Sequence, residues 1–123
     1  MDKQSILIIE DDEPLRYLYK TVFEEANFDV HEAVDGITGV DAALLKKPQA
    51  IILDLMLPKQ GGLAVLKIIR SHPDLLHLPV VVLTALDNPA YKEEARPNVQ
   101  GYFLKIEVQP KDIVNHIKKI LNP

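Results

Sequence analysis

Four short runs, Ile6–Ile9, Ala50–Leu53, Val80–Leu83 and Gly101–Leu104, are almost unbroken in apolar residues. A half-wet strand alternates apolar with polar residues, whereas a strand covered on both faces does not. These runs therefore predict a parallel sheet with helices on each side. A fifth run, Asp29–Ala33, is more mixed. Between the runs, apolar residues recur at the spacing of one helical face. Pro14–Ala26 carries Leu15, Leu18, Tyr19, Val22, Phe23 and Ala26, and Gly36–Leu45 carries Ile37, Val40 and Leu44. Gly62–Ser71 carries Leu63, Leu66 and Ile69, and Pro110–Leu121 carries Ile113, Val114, Ile117, Ile120 and Leu121. Asp35 is placed to cap the second helix. Asn88 followed by Pro89 predicts the start of a weaker one, Asn88–Ala95. The pattern βαβαβαβαβα predicts an α/β sandwich on a parallel sheet.

Such a pattern needs about 120 residues, and the chain has 123, so one domain over 1–123 is expected. With 47% hydrophobic and 26% charged residues, wholesale disorder is excluded. Eighteen acids outnumber fourteen Lys and Arg, and no Lys/Arg run exceeds two residues. Direct nucleic-acid binding, which draws on Lys and Arg at phosphates, is not expected. The absence of Cys excludes disulfides, thiolate metal sites and a cysteine nucleophile. No apolar run approaches the roughly 20 residues of a membrane span. Polar Met1–Ser5 precedes only four apolar residues, which does not read as a secretory signal. A cytoplasmic chain without membrane contact is expected. Met1 reads as a native start, so an effector segment would lie beyond Pro123.

Ligands of open parallel sheets bind outside the carboxyl ends of the strands. The first strand is followed by Glu10-Asp11-Asp12-Glu13, and the third by Asp54. Thr84 follows the fourth and Lys105 the fifth. Each has an ordinary explanation alone, in helix capping or in a strand reaching water. Together they put acids, a hydroxyl and an amine on one rim. Clustered carboxylates repel and need a cation. All-oxygen ligation favours Mg²⁺, which is held by one or two carboxylates plus a phosphate. A carboxylate such as Asp54 can be a nucleophile that forms an aspartyl-phosphate. Lys105, Thr84 and the metal could then surround the phosphoryl oxygens.

The segments Ile6-Leu7-Ile8-Ile9-Glu10-Asp11-Asp12-Glu13-Pro14 and Asp54-Leu55-Met56-Leu57-Pro58-Lys59-Gln60-Gly61-Gly62 resemble the receiver domain of two-component response regulators. So do Val82-Leu83-Thr84-Ala85 and Gly101-Tyr102-Phe103-Leu104-Lys105, and the resemblance covers essentially the whole chain. It implies a flavodoxin-like, doubly wound (βα)5 sandwich of strand order 2-1-3-4-5. Asp54 would accept phosphate from a sensor histidine kinase or phosphotransfer protein, and the signal would pass to an unidentified downstream effector. Glu10 matches a familiar variant of the family's acidic pair. Asp11 and Asp54 would bind Mg²⁺ by side chain, Met56 by its backbone carbonyl and Glu10 through water. Thr84 and Lys105 would contact the phosphoryl group, with Thr84 and the aromatic Tyr102 acting as the switch. Leu15, at the start of the first helix and on the edge of its apolar stripe, would either face the kinase or simply pack in the core. The fourth helix, fifth strand and fifth helix would offer a face for a second copy.

Two departures stand out. Ile106 follows Lys105 where the family usually has proline, and a non-proline cis bond costs roughly 3 kcal/mol, so this bond is expected to be trans. Pro97, in Arg96-Pro97-Asn98, should end the fourth helix early. The residues two beyond Asp54 and two beyond Thr84, Met56 and Leu86, are apolar and unable to hold a hydrolytic water. Slow self-dephosphorylation is expected.

Other readings fit less well. A flavodoxin would need a phosphate cradle where four acids stand, and a dinucleotide-binding domain would need glycines between Ile6 and Asp35, where none occurs. An aspartyl-phosphate phosphatase would carry a second acid at Met56. A phosphorylation-independent receiver would have no need of Asp54, Asp11, Thr84 and Lys105 together. No separate enzymatic substrate is expected. His31, His72, His77 and His116 fall at non-ligand spacings, and Gly61-Gly62 reads as a tight turn before the third helix.

Overall fold

The computed structural model describes residues 3–123. Five strands, β1 (Ser5–Ile9), β2 (Asp29–Ala33), β3 (Ala50–Leu53), β4 (Val80–Thr84) and β5 (Gly101–Leu104), form one parallel sheet of order β2-β1-β3-β4-β5. The helices are α1 (Glu13–Glu25), α2 (Gly36–Lys46), α3 (Gly62–Ser71), α4 (Pro89–Ala95) and α5 (Pro110–Leu121). This is the flavodoxin-like arrangement. Because successive side chains of a strand point to opposite faces, β1 and β3 feed two separate cores. Ile6, Ile8 and Ile52 pack with Tyr19 and Phe23 of α1 and with Ile113 and Ile117 of α5. Leu7, Ile9, Ile51 and Leu53 pack on the other side with Ala43 of α2 and with Val65 and Ile69 of α3.

The continuous apolar runs prove central in three cases out of four. Ile6–Ile9, Ala50–Leu53 and Val80–Thr84 are buried throughout, while every residue of β5 is only half-buried. β5 lies at the sheet edge, where one side lacks a neighbour. Mixed β2 forms the other edge. β4 runs one residue beyond its expected end because Thr84 pairs with Leu104, and its carbonyl accepts the Lys105 N–H at 2.9 Å.

The helix starts follow local chemistry. Asp12 caps α1 through the Leu15 N–H at 3.1 Å, and Asn88 caps α4 through the Ala90 N–H at 2.9 Å. α4 stops at Ala95, and Arg96–Asn98 forms a 3-10 turn around Pro97, as proline geometry demands. α1 departs from its reading at two points. It ends at Glu25, with Ala26 as its C-cap, and Leu18 lies 45% exposed rather than in the core. Among the described residues no helix is long and apolar enough to cross a membrane.

Candidate functional site

The parallel register carries the ends of β1, β3, β4 and β5 to one edge of the sheet, and the candidate site lies there. Glu10 and Asp54 immediately follow β1 and β3, and both are buried, with 4% and 3% exposure. Backbone pairing extends to them. The Glu10 N–H donates to Ala33 O at 3.0 Å and the Asp54 N–H to Ile9 O at 3.1 Å. Lys105, from the end of β5, places its Nζ 2.7 Å from Glu10 Oε1 and 3.1 Å from Asp54 Oδ2. No peptide bond is cis among the described residues. The Lys105–Ile106 bond is therefore trans as expected, and Lys105 still reaches both acids. Ile106 itself is 90% exposed.

Backbone donors fix the remaining carboxylate oxygens. Glu10 Oε2 accepts the Asp12 N–H at 3.0 Å, and Asp54 Oδ1 accepts the Met56 N–H at 3.0 Å. Asp11 is exposed beside them, and oxygens of Glu10, Asp11 and Asp54 lie within 4.8 Å of one another. Among the described residues Asp11 has no ion pair, so one lysine faces three acids. Burial pushes the Glu10 carboxyl up to about 7, against the opposing pull of Lys105 and the Asp12 N–H. Desolvation works against the Lys105 ammonium, but bonding to Glu10 and the Asp54 charge outweigh it and raise its pKa. This cluster is short of positive charge and offers only oxygen donors, a set suited to a hard divalent cation.

Among the described residues, Thr84 and Tyr102 form no hydrogen bond to Asp54. Thr84 is fully buried, and its Oγ1 accepts the Leu86 N–H at 3.1 Å within the β4–α4 loop. Tyr102 turns its hydroxyl inward, where it has no hydrogen-bond partner among the described residues. Its ring packs with the core beside α3 and α4 and lies 5.8 Å from Lys92 Nζ. The Met56 side chain is 54% exposed, and Leu15 is half-buried against the α1–α5 core. His116 Nε2 donates to Gln100 O at 2.7 Å, and its ring packs edge-on at 5.1 Å against Phe103.

Sequence reasoning missed the supporting contacts. The Arg16 guanidinium donates to Glu10 O at 2.9 Å and to Glu32 Oε1 at 3.0 Å. It thereby ties the β1–α1 loop to the edge strand. No spacing rule links these three positions. The glycine pair also acts differently from expectation. Neither Gly61 nor Gly62 has positive φ, and the left-handed residue of that loop is Lys59, at φ 64°. Gly62 is required because a Cβ would stand 2.4 Å from Leu55 Cα and 2.5 Å from Asp54 O. The turn is made by close approach, not by glycine's freedom of φ.

A parallel α/β sheet whose carboxyl edge joins three carboxylates to one half-buried lysine defines a signalling domain of the receiver class. The chain belongs to the response regulator receiver domain family, whose model matches residues 6–118. It is 44% identical over 97 residues to the DNA-binding dual master transcriptional regulator RpaA of Synechocystis sp., covering 79% of this chain and 38% of the relative. It is 29% identical over 116 residues to the transcriptional regulatory protein SrrA of Staphylococcus aureus, covering 94% and 47%. The chain thus spans less than half the length of these relatives. Among solved structures, a putative response regulator from Chloroflexus aurantiacus matches with a TM-score of 0.89 and 27% identity, over 98% of this chain and 99% of that one.

Proposed function

We propose that the chain accepts a phosphoryl group on Asp54 from a sensor histidine kinase or phosphotransfer protein and relays it as a conformational signal. The observation that carries this reading is the placement of Lys105 Nζ between Glu10 and Asp54, at 2.7 and 3.1 Å. A buried carboxylate beside a lysine, at the rim of a parallel sheet, is poised to take and compensate a phosphoryl group.

The Met56 N–H on Oδ1 and Lys105 on Oδ2 orient the Asp54 carboxylate. In the transfer, an Asp54 oxygen forms a bond to phosphorus as the phosphorus–nitrogen bond of a phosphohistidine breaks, and the departing imidazole keeps the bonding pair. Lys105 then moves its charge to a phosphoryl oxygen. The Thr84 hydroxyl rotates out of the β4–α4 loop to donate to another, and Tyr102 follows it. Asp11 and Asp54 would hold Mg²⁺ by side chain, Met56 by its backbone carbonyl and Glu10 through water. When bound, Mg²⁺ supplies positive charge that relieves carboxylate repulsion and stabilises the phosphoryl oxygens.

The domain acts on no separate substrate, and the effector it controls is a partner or a further segment, as befits relatives that regulate transcription. The α4–β5–α5 face offers a surface for a second copy. The test is incubation with acetyl phosphate and Mg²⁺, followed by intact-mass measurement. One added phosphoryl group, lost in Asp54→Asn and in the absence of Mg²⁺, is expected. A wild-type chain that gains none would sink the reading.

A further inference from the structure

Three non-glycine residues have positive φ among those described: Asn27, Lys47 and Lys59. Lys47 is the left-handed C-cap of α2, and Asn27 directly follows the C-cap of α1. At such places the left-handed conformation satisfies helix-end carbonyls. Lys59, at φ 64°, ends no helix, and lies in the loop between β3 and α3. Glycine would adopt that conformation without steric cost. A lysine there calls for another explanation, and backbone outliers of this kind concentrate at functional sites.

Its ammonium supplies one. Lys59 Nζ lies 3.2 Å from Asp35 Oδ2. Asp35 is only 3% exposed, and its other oxygen accepts the Thr38 N–H at 2.8 Å and the Thr38 hydroxyl at 3.0 Å as the cap of α2. Lys59 meets the oxygen that Thr38 leaves open. The next residue adds a steric lock. A Cβ on Gly36 would fall 2.4 Å from Gln60 O and 2.6 Å from Gln60 Cβ, so the β2–α2 turn and the β3–α3 loop are already in backbone contact. The same loop begins with Asp54 and Met56. Lys59 is 64% exposed along its side chain, and exposed pairs contribute little to global stability. Loop order is therefore where the contact matters.

We propose that Lys59 is a positioning residue: paired with buried Asp35, it clamps the loop that carries Asp54 and Met56 in its cation-receiving geometry. This rests on the Mg²⁺ assignment above, and the test separates the two. Lys59→Asn supplies a residue tolerant of left-handed backbone but too short for the clamp, whereas Lys59→Arg keeps the charge. Amide hydrogen exchange over 55–61 and Mg²⁺ titration calorimetry are measured on wild type and both variants. Lys59→Asn should melt as wild type does, exchange faster in this loop alone and bind Mg²⁺ about ten-fold more weakly, in line with other groups that orient metal ligands. Lys59→Arg should restore both. Unchanged loop exchange in Lys59→Asn overturns the clamp, as does a loss confined to melting temperature. A wild-type chain that binds no Mg²⁺ overturns the metal assignment instead, and loop exchange still decides the clamp.

Discussion

Glu10 is pulled in two directions, by burial that favours its neutral form and by Lys105 that favours its charged form. Burial prevails, and its carboxyl titrates near 7, up from 4.5. The folded state thus binds a proton more tightly than the unfolded one. Between about pH 4.5 and 7 the unfolded chain holds fewer protons, so stability falls as pH rises through that window. Metal-free protein should be more stable at pH 5 than at pH 8, by on the order of 3 kcal/mol at most. Asp35 acts elsewhere on the scale. The Thr38 N–H holds its carboxyl below the usual 3.8, so its contribution is lost only as pH falls below that value. Chemical denaturation in EDTA at the two pH values tests this, and Glu10→Gln should flatten the difference. An equal slope in that variant would assign the titration to another group. Met56, two residues beyond Asp54, is largely exposed, and Leu86, two beyond Thr84, is half-buried; both side chains are apolar. Neither can orient a water for in-line attack on phosphorus. Phosphorylated protein should decay slowly, and a Met56→Asn, Leu86→Glu double mutant should decay at least several-fold faster. Equal decay rates would show that these side chains do not set the lifetime.

At the scale of elements, the β3–α3 loop is where backbone packing governs the chemistry. Gly62 sits against Leu55 Cα and Asp54 O, while a Cβ on Gly61 would meet nothing within 4 Å. Overpacking at such a contact costs roughly 1–3 kcal/mol. Gly62→Ala should therefore destabilise the fold by about that amount and slow phosphorylation, because the shifted atoms include the backbone of Asp54. Gly61→Ala should change stability by no more than about 0.5 kcal/mol. Urea titrations of both variants, with acetyl phosphate kinetics, check the contrast, and equal effects would refute it. Elsewhere the elements were largely legible. The caps Asp35 and Asn88 and the early end of α4 at Pro97 follow from residues acting within one turn. The misplacement of Leu18 has the opposite origin. It satisfies the helical period yet lies 45% exposed, because period alone does not tell which apolar flank meets a neighbour.

Across the whole molecule, the site is a meeting of the chain segments that follow β1, β3, β4 and β5, and its charge balance couples metal to stability. With three acids facing Lys105, Mg²⁺ should stabilise the protein by roughly 2–3 kcal/mol at a hundred-fold excess over its dissociation constant. Thermal melts with and without millimolar Mg²⁺ measure this. Asp11→Asn should lose most of the gain, and a wild-type melt that Mg²⁺ leaves unmoved would end the cation assignment. Local sequence determined the strands, the helices, their alternation and hence the parallel sheet, because propensity, capping and periodicity act over a few residues. The strand-end residues Glu10, Asp54, Thr84 and Lys105 were legible for the same reason: a parallel sheet sends every carboxyl end to one edge. Tertiary structure alone decided that Arg16 braces Glu10, that Lys59 reaches Asp35 and that the Tyr102 hydroxyl is buried without a partner among the described residues. Those contacts join residues that no local period relates, and they exist only because the crossovers bring separate loops within a few ångströms of one another.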